Sequence, residues 1–216
     1  MLRVVKIRCF ILLSLIGWHG TALSDIEFNE TLFERAQSRY GEEAKARVLE
    51  WKDIIEGYQR SGVSEKLEAV NQFFNQVRFV NDASLWQQAD YWATPLEFLG
   101  RNAGDCEDFT IAKYFSLRKL GIPTQKLRLM YVTALEYDQA HMVLAYYETP
   151  TSIPLVLDNL ETSILPASQR DDLRPVYSFN GDGLWLAKSQ GRGRQMQNKN
   201  NHSLWAELNK RMQEGH

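Results

Sequence analysis

The chain is poor in cysteine: its 216 residues hold two, Cys9 and Cys106. Cys9 lies in a segment with the makeup of an export signal, so the mature chain keeps one thiol and is barred from closing an internal disulfide. Histidine is almost as scarce. Of four, His19 falls in the same segment and His216 ends the chain, which leaves His141 and His202. Excess charge is lacking too. With 25 Lys and Arg against 27 Asp and Glu, the net charge is −2, which excludes a bulk attraction to nucleic acid or an anionic membrane. No internal repeat is present, and the apolar run at 9–18 is shorter than the ~20 residues of a permanent membrane span.

What is present begins with that export segment. Arg3, Lys6 and Arg8 stand without an acid before the apolar run, and Ala22-Leu23-Ser24 offers small residues at the spacing a signal peptidase reads. The expectation is a signal peptide at 1–24, cleavage near Ser24 and a periplasmic or secreted product starting at Asp25; an uncleaved N-terminal anchor is the competing reading. No cysteine follows the small residues, so a lipid anchor is not indicated. The rest, 44% hydrophobic and 12% aromatic over the whole sequence, suits one globular domain at 25–216. The basic stretch at 188–199 is rich in Gly, Gln and Asn and lacks interleaved aromatics, so it reads as a solvated loop.

The first half of the mature chain patterns as helix. Ala44, Val48, Trp51, Ile55 and Tyr58 recur at spacings of three and four until Ser61-Gly62. A second stripe, Leu67, Val70, Phe74 and Val77, follows Ser64 as its expected N-cap. Residues 81–102 read as irregular or short-helical. A third helix starts at Cys106, with Asp105 as N-cap, Glu107 and Asp108 in the first turn, and Gly121-Ile122-Pro123 as its stop. Strand patterns follow at 126–133, 141–147 and 155–160, and a short helix is expected at 203–212. Helices followed by an antiparallel meander make an α+β fold.

Cys106 sits where a helix presents unpaired N–H groups, which favour a thiolate. If 141–147 and 152–158 form a hairpin around 148–151, His141 falls opposite Asp158 and both face one side. A carboxylate orients an imidazole, and an imidazole within reach of a thiol completes a Cys-His-Asp nucleophilic site. Taken singly, a buried Cys, a strand His and a strand-end Asp also have structural readings. Asp105, Glu107 and Asp108 likewise read as acids that complement the helix dipole.

Gly104-Asp105-Cys106-Glu107-Asp108-Phe109, Lys113-Tyr114, His141-Met142-Val143-Leu144 and Leu157-Asp158-Asn159-Leu160 resemble the bacterial transglutaminase-like cysteine proteinases, and among them the LapG group. The resemblance runs from about residue 86 through Tyr177-Ser178-Phe179-Asn180 and Gly183-Leu184-Trp185-Leu186. It implies a papain-like, transglutaminase-like core at about 86–190 behind a helical part at about 30–80. It also implies Cys106 as nucleophile, His141 as general base and then acid, and Asp158 as the orienting residue. The implied reaction is peptide-bond hydrolysis, in the periplasm, in the N-terminal region of a large cell-surface adhesin, releasing it and dispersing biofilm. The implied inhibitory partner is an inner-membrane cyclic di-GMP receptor that sequesters the protease.

Calcium is implied by the same resemblance, on Asp105, Glu107 and Asp108. Three carboxylates suit a hard cation, though a full shell needs about six to eight oxygens. They would also oppose thiolate formation at Cys106, which a divalent cation would offset. The Cys106 N–H is a natural oxyanion donor, with Asn102 or Trp92 as sources of a second. Two other functions fit the same residues: transglutaminase-like acyl transfer, which shares the acyl-enzyme, and a catalytically silent calcium-dependent binding module.

Overall fold

The structure, a computed structural model, describes residues 26–181, 183–186, 195–196 and 201–216; the expected signal peptide and all but two residues of the 188–199 stretch lie outside the described residues. Three helices lead: α1 (Glu30–Tyr40), α2 (Glu42–Tyr58) and α3 (Val63–Phe74). The α1–α2 corner turns on Gly41 at φ 92°, a conformation that penalises any side chain. The expected stripe of α2 is its buried face, with Ala44, Val48, Trp51 and Ile55 all inward. In α3 the N-cap is Gly62 and not Ser64, because Glu65 reaches back to accept the Gly62 N–H at 2.9 Å.

Strand β1 (Arg78–Phe79) pairs in parallel with β2 (Ala103–Gly104), and the span between them holds α4 (Asp82–Leu85) and α5 (Pro95–Arg101). Then comes α6 (Cys106–Lys119), buried along nearly its whole length and terminated by Gly121 at φ 87°. Trp51 of α2 donates to Ser116 Oγ at 2.8 Å, tying the helical layer to α6 from one side.

The other side of α6 meets a sheet built from β3 (Leu127–Ala134), β4 (Gln139–Tyr146), β5 (Leu155–Leu157), β6 (Leu165–Pro166), β7 (Leu173–Asn180), β8 (Gly183–Leu186) and β9 (Gln195–Met196). Among the described residues its order is β6-β5-β4-β3-β7-β8-β9, with antiparallel neighbours throughout. Alternation along the strands splits the apolar residues. Leu127, Leu129, Met142 and Leu144 join the main core with α6, while Met130, Val132, Val143, Ala145 and Val156 form a smaller cluster. The chain closes with α7 (Asn201–Gln213), slightly longer than the expected 203–212. No described helix is long and apolar enough to cross a membrane.

The hairpin register differs from expectation. Leu144 pairs with Leu157 and Tyr146 with Leu155, two residues away from the pairing that set His141 opposite Asp158. The connection is longer than 148–151, since a Thr149–Ser152 turn forms and the Pro154 carbonyl is taken by Ala167 N–H at 2.9 Å. The strand also stops at Leu157, short of the expected 160. A slip of two residues keeps every side chain on its face, so His141 and Asp158 become diagonal neighbours on one side.

Candidate active site and cation cluster

Cys106 opens α6, and the chain leading into it is tightly placed. Val80 N–H donates to the Gly104 carbonyl at 2.8 Å. A Cβ on Gly104 would strike the Asp108 carboxylate and approach the Phe98 ring to 2.6 Å, so only glycine fits. The Cys106 side chain is buried and its Sγ donates to Glu107 Oε2 at 2.8 Å. Burial pushes the thiol well above its ordinary pKa, the Glu107 and Asp105 carboxylates push it further, and the Met142 N–H facing the sulfur pulls the other way. Thr110 of α6 donates to the Met142 carbonyl at 3.0 Å. The seam between α6 and β4 thus sets Cys106 against the residue adjoining His141.

His141 and Asp158 meet directly, Nε2 to Oδ1 at 2.7 Å, and both are buried. Nδ1 is therefore the ring nitrogen directed away from the carboxylate. Asp158 Oδ1 also accepts the N–H groups of Asn159 at 2.6 Å and Leu160 at 3.0 Å. Its Oδ2 accepts from Arg170 Nη2 at 2.7 Å, and Arg170 is itself buried and forked onto Asp172 at 2.9 and 2.7 Å. Burial alone would raise the Asp158 carboxyl, but the hydrogen bonds from His141 and Arg170 and the charge of His141 hold it well below the usual range. Arg170 has no counterpart in the sequence reading.

Behind Asp158 lies a buried lysine. Lys113 Nζ donates to Asn75 Oδ1 at 2.7 Å and to the Asp158 carbonyl at 2.9 Å, and Asn75 Nδ2 donates to the same carbonyl at 2.9 Å. Burial pushes the Lys113 ammonium down from 10.5 to about 7, against the pull of Asp158. The unfolded chain binds this proton up to its ordinary pKa, whereas the folded chain releases it near 7. Between those values the unfolded state carries more protons, so the penalty of burying the charge fades as pH rises. Stability from urea denaturation is expected to climb between about pH 7 and 9.5, and Lys113→Met should flatten that climb. An unchanged slope in the variant would show that the ammonium is not the cause.

The acids around Cys106 form two overlapping groups. Ligand oxygens of Asp82, Asp105 and Asp108 lie within 4.8 Å of one another, as do ligand atoms of Asp105, Cys106 and Glu107. Asp108 is fully buried and accepts Ala93 N–H at 2.7 Å and Asp105 N–H at 3.3 Å. Asp82 accepts Tyr91 N–H at 2.6 Å through Oδ2, whereas Asp82 Oδ1 and Asp105 Oδ1 are buried with no hydrogen-bond partner. Burial raises the Asp105 carboxyl to about 10, with the charges of Glu107, Asp108 and Asp82 pushing the same way. Unpaired buried carboxylate oxygens turned onto one another are costly, and a hard cation satisfies them. The donor set therefore fits a divalent oxygen-seeking ion. Glu107, expected in the same set, spends Oε2 on the Cys106 thiol and Oε1 on Tyr131 OH at 3.2 Å. Asp82 was not foreseen, because an acid after Asn81 looks like an ordinary helix-start residue.

Asn102 holds a left-handed conformation (φ 48°, ψ 39°) that ends α5 and turns the chain into β2. Trp92 is buried with its ring stacked on Phe179 at 5.5 Å. Asn102 thus shapes the backbone turn into β2, and Trp92 packs its ring in the core with its Nε1 buried.

Comparison with known proteins shows the family of the chain. The family model of the bacterial transglutaminase-like cysteine proteinases matches residues 39–173. Legionella pneumophila LapG is 44% identical over 85% of this chain and 96% of its own, with a TM-score of 0.73. The calcium-bound structure of that protein gives 45% identity, 85% and 98% coverage and a TM-score of 0.73. Its EGTA-treated structure gives 45% identity, 85% and 96% coverage and a TM-score of 0.75. No curated protein matches. With an α+β transglutaminase-like fold and this match across most of its length, the chain belongs to the bacterial transglutaminase-like cysteine proteinases.

Proposed function

We propose that the protein is a calcium-dependent periplasmic cysteine endopeptidase that cleaves the N-terminal region of a large cell-surface adhesin. Release of the adhesin disperses biofilm, and an inner-membrane cyclic di-GMP receptor inhibits the protease by sequestering it. The observation that carries the reading is the buried His141–Asp158 pair, 2.7 Å apart, at the seam where Cys106 starts α6. The charge profile and the apolar segment at 9–18 support export.

Cys106 Sγ gives its proton to His141 Nδ1 and attacks the scissile carbonyl carbon. Asp158, held by Arg170, keeps the imidazole oriented through Nε2 and stabilises its charged form. His141 then returns the proton to the leaving amine as the C–N bond breaks, and leaves a thioester on Cys106. Water, deprotonated by His141, hydrolyses that thioester and restores the thiol. Asp82, Asp105 and Asp108 would hold the calcium, while Glu107 accepts a hydrogen bond from the Cys106 thiol beside them. When bound, the ion supplies positive charge that offsets the carboxylate field opposing the Cys106 thiolate.

The test is purified protein incubated with N-terminal fragments of large secreted adhesins, in calcium or in excess chelator, with products read by mass spectrometry. Discrete cleavage in calcium that vanishes in chelator is expected. Equal cleavage in both would remove calcium from the reading, and no cleavage of any fragment would remove the adhesin. Incorporation of an added amine in place of hydrolysis would move the reaction to acyl transfer.

A further inference from the structure

The C-terminal helix is linked to the acid cluster through Arg211 and the segment at 91–93. Helix α7 docks by burying Leu208 and by setting Trp205 against Phe115 at 5.7 Å, stacked, and against Tyr114 and Phe179, edge-on. In its last turn Arg211 extends to the segment at 91–93. Its Nη1 donates to Tyr91 OH at 2.6 Å and Glu97 Oε2 at 2.5 Å, its Nη2 donates to the Trp92 carbonyl at 2.5 Å, and its guanidinium lies 4.3 Å from the Tyr91 ring centroid. Glu97 is buried and engaged in turn, accepting Tyr91 OH at 2.8 Å and Thr94 N–H at 2.8 Å.

The opposite edge of the same three residues belongs to the acids. Tyr91 N–H is bound by Asp82 and Ala93 N–H by Asp108. The Trp92–Ala93 peptide group is therefore held at both ends, its oxygen by a guanidinium and its N–H by a carboxylate. Hydrogen bonds in line through one peptide polarise each other in a buried setting. The segment at 91–93 thus acts as a spacer of fixed width between Arg211 and two of the three clustered aspartates.

We propose that α7 is a latch on the cation site, with Arg211 a positioning residue that holds Tyr91–Ala93 so that Asp82 and Asp108 face a divalent cation together. This rests on the reading of the acid cluster as a calcium site. Without Arg211 the Trp92 carbonyl loses its donor and the buried Glu97 its counter-charge, and the two aspartates lose the common support of their N–H donors. Partners one step behind metal ligands commonly set affinity by about 10–100-fold.

The test is calcium titration by calorimetry on the full-length mature chain, with urea denaturation in chelator alongside. Arg211→Met is expected to weaken calcium binding by about tenfold or more. Val48→Ala, which opens a cavity on the buried face of α2, a helix that carries none of the clustered aspartates, should lower stability and leave affinity unchanged. Affinity equal to wild type in folded Arg211→Met, or a loss matched by Val48→Ala, would overturn the latch. Should Arg211→Met fail to fold, Arg211→Lys decides. It keeps a charge for Glu97 but loses the fork to Trp92, so several-fold weaker binding is expected and wild-type affinity would overturn the proposal. Absence of calcium binding in the wild type would overturn the cation site itself, and the latch with it.

Discussion

Cys106→Ala is expected to reduce peptide hydrolysis by at least about ten-thousand-fold while the fold stays intact. The thiol is the first side chain of α6 and is buried against Glu107. Alanine is a strong helix former there, and losing one sulfur should cost only about 1 kcal/mol. His141→Ala should reach a similar residual rate. The double variant should fall no further, because a nucleophile and its base act as a unit and their losses do not add. Turnover of a peptide substrate that the wild type cleaves, measured with circular dichroism on the same samples, checks all three. Residual activity above one part in about a hundred in Cys106→Ala would place the nucleophile elsewhere.

Arg170→Met should be the most damaging single change to stability near the site, at about 3–5 kcal/mol. Asp158 is fully enclosed, and its Oδ2 depends on Arg170 Nη2 at 2.7 Å. Methionine fills comparable space but leaves a buried carboxylate oxygen without its cation. Adding Asp158→Asn should recover part of the loss, because an uncharged amide needs no counter-ion, and the two residues are then shown to be coupled. Urea midpoints for both singles and the double complete the cycle. Additive losses would mean that the pair does not interact across 2.7 Å as described. Turnover should fall in Arg170→Met as well, since His141 is oriented by the carboxylate that Arg170 anchors.

Much of this site was readable before any fold was known, and the reasons are local. Asp105, Gly121 and Pro123 punctuate α6 within a few residues of its ends, and alternation marks β3 and β4. The pairing of His141 with Asp158 survived an error of two residues in register because side-chain direction repeats every two. The unforeseen parts depend on distance in sequence. Strand β7 carries Arg174 and Pro175, so its apolar pattern is broken, yet it lies beside β3 with an irregularity between Tyr131 and Val132. Arg170 follows a single 3-10 turn with no local sign of its partner. Asp82 resembles any acid at a helix start until folding brings it to Asp105 and Asp108. The periodicity of α7 was visible, but its bond to Glu97 spans 114 residues.

Those sequence distances also order the steps by which the protein becomes competent. The His141–Asp158 bond closes a separation of 17 residues and Thr110 to Met142 one of 32, whereas Arg211 and Tyr91 are 120 apart. Closing a longer loop costs more entropy and is met later by a chain that gains its near contacts first. The trio at the α6–β4 seam is thus assembled from one contiguous stretch, while the acid cluster is braced only after the far end of the chain has docked. A chain that has not yet docked α7 can already pair His141 with Asp158 while the proposed brace on Tyr91–Ala93 is missing, so on this reading docking of α7 is what readies the acid cluster for its cation.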